Sequence, residues 1–320
     1  MKGQVLKLLR EHNTTFLSGE KMSQVIGCSR TAIWKHIDAL RKEGYDIVAS
    51  QNKGYQLRET YPMLSEHEIL SYLPNDSLFT NVIFYRSINS TQMAAQKQVS
   101  DGMTHGTLVV ADEQTNGKGR LGRTWHSEKD SGVWMSLIVK PDIAFEQAPQ
   151  LTLLTAVSVT RAIEKLSKVN VTIKWPNDLL INGKKVCGIL TEMQADTDRL
   201  LSVIIGIGLN VNHKQFSDPL TDIATSLFIE TGKTYDRSQL IGGILDEFTK
   251  LYQLYLDDGF AIIKPLWEAH ASSTGKKISA RTATTVIEGI ALGIDNEGVL
   301  LLEDEAGKVH KIYSADIDLH

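Results

Sequence analysis

A loop of alternating glycines and cations is the stretch of the sequence best suited to chemistry. Residues 117–123 read Gly-Lys-Gly-Arg-Leu-Gly-Arg. Glycine lets a backbone come close to a ligand, and the cationic groups of Lys118, Arg120 and Arg123 form charge-assisted pairs with phosphate or carboxylate. The pattern therefore predicts a loop that closes over an anionic ligand.

The same glycines match the G-x-G-x-x-G spacing of a dinucleotide-binding turn, but the flanking residues argue against it. Such a turn needs a strand before it and a helix directly after it. Residues 107–111 suit a strand, whereas residues 124–132 are polar without helical periodicity and lead into a second strand pattern at 133–139. A P-loop is excluded because no Gly-Lys-Ser/Thr closes the motif. A solvated basic hairpin is the alternative to a loop that closes over a ligand.

Composition places the chain among ordinary globular proteins. It has 320 residues, 42% hydrophobic and 22% charged, which predicts two or three domains. No apolar run approaches the roughly 20 residues that span a bilayer, and the first residues do not form a signal peptide. We therefore expect a cytoplasmic protein with no membrane partner, in which Cys28 and Cys187 are reduced packing residues.

The N-terminal end is basic although the whole chain is acidic. The net charge is −4, yet residues 1–60 carry ten Lys/Arg against six Asp/Glu, so the rest of the chain carries −8. Apolar spacing predicts a first helix, a second at residues 20–26, and a third that Ser29 caps and Gly44 ends. A short hairpin with Lys53 at its tip follows. This order is typical of a winged helix-turn-helix, which predicts DNA binding; a module that packs against protein is the alternative.

The exposed side of the third helix and the tip of the wing supply the predicted DNA contacts. The N-terminal half of a recognition helix reaches base edges, and a cation on the wing can meet a phosphate. The predicted contacts are Ser29, Arg30, Thr31, Trp34, Lys35 and Lys53.

The central region alternates strands with helices. Ser90 is expected to cap a helix over residues 91–99, and a second helix is expected over 148–168. Asn182-Gly183 is a two-residue hairpin signal, and antiparallel pairing of this kind predicts an α+β fold with helices on one face of a mixed sheet. Residues 59–65 are expected to form the linker that precedes this region.

Three further motifs join the glycine loop: Ser90-Thr-Gln, Lys-Trp-Pro-Asn-Asp at 174–178, and Lys-Lys-Val-Cys-Gly-Ile-Leu at 184–190. With these in order, nearly the whole chain resembles the bifunctional biotin–protein ligases that double as biotin operon repressors. The resemblance implies a winged-helix DNA-binding domain at 1–60, a catalytic domain at 66–270 and a small SH3-like β-barrel at 271–320.

The resemblance also implies a two-step reaction. The carboxylate of biotin joins the α-phosphate of ATP, giving biotinoyl-adenylate and pyrophosphate, and a carrier-domain lysine then displaces AMP. ATP with Mg²⁺ and biotin would be substrates, the adenylate would also be the corepressor, and no tightly bound metal is implied. Cations must offset the repulsion of the two anionic substrates, so positioning and electrostatics should dominate catalysis.

Site residues follow from the resemblance, position by position. Lys118 departs from the arginine usual at its place and lacks the bidentate fork. Lys185 and Arg120 are implied as catalytic, and Asp178 as a magnesium ligand. The residues implied to bind biotin are Ser90, Thr91, Gln92, Gln114, Lys118, Arg120 and Lys185. Those implied to bind ATP or the adenylate are Arg123, Trp125, Lys174, Asn177, Asp178 and Asn210.

Partners and regulation are implied in the same way. The adenylate would order the glycine loop and the 211–224 loop and favour a homodimer that spans a palindromic operator. The biotin carboxyl carrier domain of acetyl-CoA carboxylase, pyruvate carboxylase or both would compete for the same surface. A DNA-binding sensor without turnover and a lipoate-type ligase are the alternatives.

Overall fold

The computed structural model describes residues 1–59, 64–103, 105–196, 199–282 and 284–319. The chain divides into two compact units. Unit 1 comprises Met1–Asp76 and Asp236–Gly243, and unit 2 comprises Ser77–Tyr235 and Ile244–His320. The middle of the predicted linker, at 60–63, lies outside the described residues, and the three domain boundaries stay a prediction. No helix in the described ranges is both long and apolar enough to span a bilayer.

Unit 1 begins with three helices and a two-stranded wing, as the sequence predicts. Ser18 and Ser29 each cap a helix by accepting a hydrogen bond from the backbone three residues on. Ile33 and Ile37 are buried on the inner face of the third helix, so its outer face is left to solvent. The elements are α1 Lys2–Glu11, α2 Gly19–Ile26, α3 Arg30–Lys42, β1 Asp46–Ser50 and β2 Gly54–Glu59.

A short helix, α4 (Glu66–Tyr72), also belongs to unit 1. Ser65 accepts a hydrogen bond from the Glu68 backbone N–H and so caps this helix. Unit 1 is completed by Asp236–Gly243, which includes the first residues of a later helix.

A seven-stranded mixed sheet forms the centre of unit 2, in the order β3-β4-β7-β11-β10-β9-β8. Only β3 and β4 pair in parallel, and the other pairs are antiparallel. Asn182 and Gly183 both have positive φ in the turn between β9 and β10, which confirms the hairpin. The strands, including the separate glycine-loop hairpin β5–β6, are β3 Asn81–Tyr85, β4 Thr107–Ala111, β5 Gln114–Lys118, β6 Thr124–Ser127, β7 Gly132–Val139, β8 Thr172–Lys174, β9 Asp178–Ile181, β10 Lys184–Asp196 and β11 Arg199–Asn210.

Helices lie on both faces of this sheet, so the prediction of a single covered face is wrong. Helix α5 (Thr91–Ser100) packs through Ala95 against Ile204. Helix α6 (Gln150–Ser167) lies on the other face, where Thr152 hydrogen-bonds Thr191 of β10. Thr191 pairs across the sheet with Ile205, the residue after Ile204 on β11. Successive residues of a strand point to opposite faces. The antiparallel pattern was right, but it does not determine where the crossover helices lie.

The remaining helices and a C-terminal sheet complete unit 2. Helix α8 (Arg237–Asp258) is lined by buried apolar side chains at helical spacing, which form a packing surface along it, and its first residues belong to unit 1. The C-terminal strands form a five-stranded antiparallel sheet in the order β15-β14-β13-β12-β16. These elements are α7 Leu227–Thr231, α8 Arg237–Asp258, α9 Ile263–Glu268, β12 Lys277–Arg281, β13 Val286–Ile294, β14 Leu300–Glu303, β15 Val309–Ile312 and β16 Asp316–Leu319.

Candidate active site

One cavity of about 640 Å³ in unit 2 brings together all the residues predicted to bind biotin or ATP. The glycine-loop hairpin, the start of α5 and the central strands β9 to β11 form its walls, and residues 216–224 and strand β16 also contribute. The predicted residues that line it are Ser90, Thr91, Gln92, Gln114, Lys118, Arg120, Arg123, Trp125, Lys174, Asn177, Asp178, Lys185 and Asn210.

A chain of hydrogen-bonded polar side chains forms one end of the cavity. The Thr91 backbone N–H and hydroxyl donate to Oε1 of Gln114 at 2.8 and 3.1 Å. Gln114 Nε2 donates to the Ser127 hydroxyl at 2.8 Å. Gln92 Nε2 donates to the Ile204 carbonyl at 3.1 Å. These bonds hold both amides in one orientation, as recognition of a polar ligand head requires.

Ser90 occupies the N-cap position of α5, but its side chain does not make the expected capping bond. The residue is 1% exposed, and its Oγ is buried without a hydrogen-bond partner in the described structure. A buried hydroxyl without a partner costs about 1–3 kcal/mol. Because Ser90 lines the cavity, a ligand with a polar head can supply that partner.

Arg120 of the glycine loop bonds to two distant parts of the chain. Its guanidinium donates to Oδ1 of Asn177 at 2.9 Å and to the hydroxyl of Ser314 at 3.2 Å. Burial lowers the pKa of Arg120, while the nearby carboxylates of Asp316 and Asp178 act in the opposite direction. A guanidinium keeps its proton at neutral pH even so, and Arg120 therefore places a positive charge at the cavity mouth.

Arg123 forms an ion pair with Asp316 of strand β16. The hydrogen bond to this carboxylate raises the pKa of Arg123. The arginine side chain is 64% exposed, so water screens the pair. Together with the bond from Arg120 to Ser314, this contact places the glycine loop against the C-terminal sheet.

Lys185 lies beside Asp178, with Nζ 2.7 Å from a carboxylate oxygen. The same ammonium lies 5.1 Å from the centroid of the Trp125 ring. The backbone of Lys185 bonds to the 211–224 loop and its flank, through the Ile223 carbonyl and the Thr225 N–H. The lysine implied as catalytic is thus fixed at its backbone and paired at its side chain.

Lys184 points away from this pair and donates to the carbonyl of Thr221 at 3.0 Å. Lys184 therefore helps attach the 211–224 loop to β10.

The indole of Trp125 covers two glycines on adjacent strands. An added Cβ would lie 3.0 Å from the ring at Gly188 and 2.4 Å from its Nε1 at Gly208. Trp134 meets the ring edge-on, with centroids 6.5 Å apart. Aromatic rings of this kind provide a flat apolar surface on which a base can stack. Trp175, by contrast, is 3% exposed and belongs to the core.

The other predicted residues have clear positions. Asn210 is buried and donates to the Thr225 carbonyl at 3.1 Å. Lys118 is exposed and Lys174 half-buried at the cavity wall. The six predicted DNA contacts are all exposed in unit 1, and Trp34 is 54% exposed, which is unusual for a residue of its type.

Some residues that line the cavity or support its walls could not be predicted from the sequence. Ser136 lies within 3.0 Å of both Thr91 and Gln92, and Ser127 holds Gln114. Single serines on strands carry no spacing signal. Asp316 is 193 positions from Arg123, so only the fold brings the two together.

Comparison with known proteins finds three family models along the chain. Residues 84–210 match the Biotin/lipoate A/B protein ligase family, residues 2–56 match an HTH domain, and residues 274–320 match the Biotin protein ligase C terminal domain. The three matches follow the order of winged helix, mixed sheet and C-terminal sheet.

Two named relatives align with nearly all of the chain. The Bifunctional ligase/repressor BirA of Bacillus subtilis is 50% identical over 321 residues, covering 100% of this chain and 98% of the relative. The protein of the same name from Escherichia coli is 29% identical, covering 92% and 90%. Among solved structures, the biotin protein ligase from Aquifex aeolicus in complex with biotin and ATP aligns with a TM-score of 0.67 and 31% identity, covering 76% of this chain and 99% of that one.

Proposed function

This chain belongs to the biotin–protein ligase family, and we propose that it is an ATP-dependent biotin ligase that also acts as a biotin-responsive repressor. One observation carries the enzymatic part. A single cavity holds a polar cluster with an unsatisfied hydroxyl at Ser90, a closing loop with three cations, and the paired Lys185. The proposed repressor function is supported by the exposed outer face of helix α3 on the same chain.

In the first step, a carboxylate oxygen of biotin attacks the α-phosphorus of ATP. The bond from that phosphorus to the bridging oxygen breaks, and pyrophosphate leaves with its electron pair. Lys185 stabilises the negative charge that gathers between the two substrates, and Arg120 closes over the product. Pre-arranged charges of this kind act most strongly where water is excluded.

In the second step, the amine of a carrier lysine attacks the carbonyl carbon of the mixed anhydride. An amide forms, AMP leaves, and the amine loses a proton. The protein supplies no covalent nucleophile, so its contribution is to bind, to orient and to keep water out until the carrier arrives.

The residues divide between the two substrates. The polar cluster at Ser90, Thr91, Gln92 and Gln114 suits the ureido head of biotin, since it offers donors and acceptors held in one orientation. We assign the nucleotide to Trp125 and to other residues that line the same cavity. The nucleotide set is Arg123, Trp125, Lys174, Asn177, Asp178 and Asn210.

Magnesium enters as part of the MgATP substrate. Among the described residues there is no group of three or more His, Cys, Asp or Glu side chains that could hold a metal ion. The Asp178 carboxylate contacts Lys185 instead. A part for Asp178 in holding Mg²⁺ requires this ion pair to open when MgATP binds.

The regulatory cycle we propose is cytoplasmic and links the cavity to DNA. Biotinoyl-adenylate closes the glycine loop and the 211–224 loop and favours a homodimer, in which two copies of α3 span a palindromic operator. The carrier domain of acetyl-CoA carboxylase or pyruvate carboxylase competes for the dimer surface. The adenylate must therefore bind the dimer-competent state more tightly than the other state.

Pyrophosphate release and carrier labelling test this function together. The chain, incubated with biotin, MgATP and a carrier domain, should release pyrophosphate and label the carrier lysine. Lipoate in place of biotin should give neither product. Release with lipoate alone would identify a lipoate-type ligase, and tight biotin binding without pyrophosphate would identify a sensor without turnover.

A further inference from the structure

A buried carboxylate in α4 has no part in the proposed chemistry. Glu68 is 0% exposed. Burying a charge is costly unless it is paired and hydrogen-bonded, and Glu68 satisfies both conditions. Arg10 of α1 donates to one of its oxygens and the Tyr45 hydroxyl donates to the other.

This pairing joins α4 to the DNA-binding module, defined here as residues 1–59. Arg10 comes from the first helix of the module, and Tyr45 lies three residues after the end of its recognition helix. Burial raises the pKa of Glu68, and the bonds from Tyr45 and Arg10 act in the opposite direction. Glu68 therefore holds two parts of the module at once, from a helix outside it.

Close backbone packing supports the same contact. A Cβ at Gly3 in α1 would lie 3.0 Å from Cβ of Leu70 and 3.1 Å from the carbonyl of His67. Lys7 donates to the carbonyl of Leu73 at 2.7 Å. Helix α1 thus lies against α4 along its length.

The network continues to the start of α8. Arg10 also donates to the Tyr72 hydroxyl, which donates to Oδ2 of Asp236 at 2.7 Å. The other oxygen of Asp236 accepts from the backbone N–H groups of Ser238 and Gln239, at 2.8 and 3.2 Å. Asp236 thus caps the helix while it accepts from Tyr72.

We propose that Glu68, Tyr72 and Asp236 are positioning residues that fix the DNA-binding module on α4 and on the first turn of α8. They thereby set the direction in which α3 is presented to an operator. The inference rests on the proposed repressor function. It adds that α4 and the first turn of α8 together form a mount for the module, and that the buried charges of this mount specify operator geometry.

Three variants of the full chain test the proposal. Glu68→Gln keeps the shape but removes the charge, and Tyr72→Phe keeps the ring but removes the donor to Asp236. Glu66→Gln is the matched control, because it makes the same substitution at an exposed position of the same helix. Pyrophosphate release should be unchanged in all three, and thermal unfolding verifies that each is folded.

Operator binding is measured after loading with biotin and MgATP. The probe is an inverted-repeat duplex selected from a random-sequence pool by the unmutated chain, together with the same half-sites moved closer or further by a single base pair. Glu68→Gln and Tyr72→Phe should bind the selected spacing about tenfold more weakly, the loss expected for one bond to a charged group. They should also discriminate less between spacings, a change that a general loss of stability does not produce.

Hydrogen exchange gives an answer that does not depend on DNA. Amides of α4 should exchange faster in Glu68→Gln while those of α3 keep their rates. Unchanged exchange in α4, or full spacing discrimination in both network variants, would overturn the proposal. Failure of the unmutated chain to bind DNA would contradict the repressor function instead, and exchange would then decide whether the network holds the module on α4.

Discussion

Substitution of two glycines on β11 should affect the proposed biotin end and the proposed nucleotide end of the cavity separately. An added Cβ at Gly206 would lie 2.7 Å from Oε1 of Gln92, and one at Gly208 would lie 2.4 Å from Nε1 of Trp125. Both distances are far below the roughly 3.5–4.0 Å of normal contact. We predict that Gly206→Ala raises the KM for biotin, whereas Gly208→Ala raises the KM for ATP.

The size of each effect follows from what can move. Strand β11 is paired on both sides, with β10 and with β7, so the side chain must give way before the backbone does. Overpacking costs about 1–3 kcal/mol, which corresponds to a roughly 5- to 150-fold rise in KM. The Gln92 side chain has several rotatable bonds and can shift if it gives up its bond to Ile204, so Gly206→Ala should fall at the lower end of this range. Trp125 is rigid, so Gly208→Ala should fall at the upper end.

Pyrophosphate release, measured with each substrate varied at saturating levels of the other, gives both KM values. The double variant Gly208→Ala/Trp125→Phe removes Nε1, the atom that the new Cβ would meet. It should bind ATP more tightly than Gly208→Ala alone, and Trp125→Phe by itself serves as the control for the loss of the indole. Thermal unfolding of each variant verifies its fold. If both alanine variants raise the KM of the same substrate, the division of the cavity into two ends is wrong.

Three further predictions concern the cations around the cavity. Arg120→Gly removes the bonds to two distant parts of the chain, so it should release adenylate and label bystander lysines; labelling confined to the carrier, seen by mass spectrometry, would contradict this. Lys185→Ala should reduce pyrophosphate release by about 10²-fold or more, whereas Lys184→Ala, which loses only a bond to a loop carbonyl, should change it little; equal losses would refute the catalytic assignment. Asp316→Asn should raise the KM for ATP only about 1.5- to 5-fold, since an exposed pair contributes roughly 0.2–1 kcal/mol, and the effect should shrink at high salt; a loss of tenfold or more would show that the pair is not merely a surface contact.

Local signals predicted the elements well because each one acts over a few residues. Ser18 and Ser29 cap their helices, and Asn182-Gly183 turns a hairpin, through bonds and dihedral angles that neighbouring residues decide. Ser90 shows the limit of this reasoning. Its position at the helix start was right, but the hydroxyl is left for the cavity, because only the fold decides whether a cap side chain turns to the backbone or away from it.

Contacts between residues that are far apart in the sequence could not be predicted from it. The motifs identified the cations of the glycine loop, yet Asp316 and Ser314 come from the far end of the chain. Nothing in the sequence around Glu68 signals that this carboxylate is buried or that its partners are Arg10 and Tyr45 of the DNA-binding module. From the sequence alone, a carboxylate in a short helix is expected to face solvent, and only the fold shows which side chains bury it.

The bonds that hold the glycine loop are few, and this suits a loop that must open. They are the ion pair between Arg123 and Asp316, in which the arginine is largely exposed and which contributes at most about 1 kcal/mol, and the two bonds from Arg120 to Asn177 and Ser314. Substrates can enter through such a loop without any prior signal. In the proposed cycle, an adenylate would bring its own negative charge to Arg120 and Lys118 and add contacts that only the closed state makes, so occupancy of the cavity would change the population of the closed loop. Tighter bonds in the free protein would keep the loop closed at all times and leave the DNA-binding end with nothing to sense.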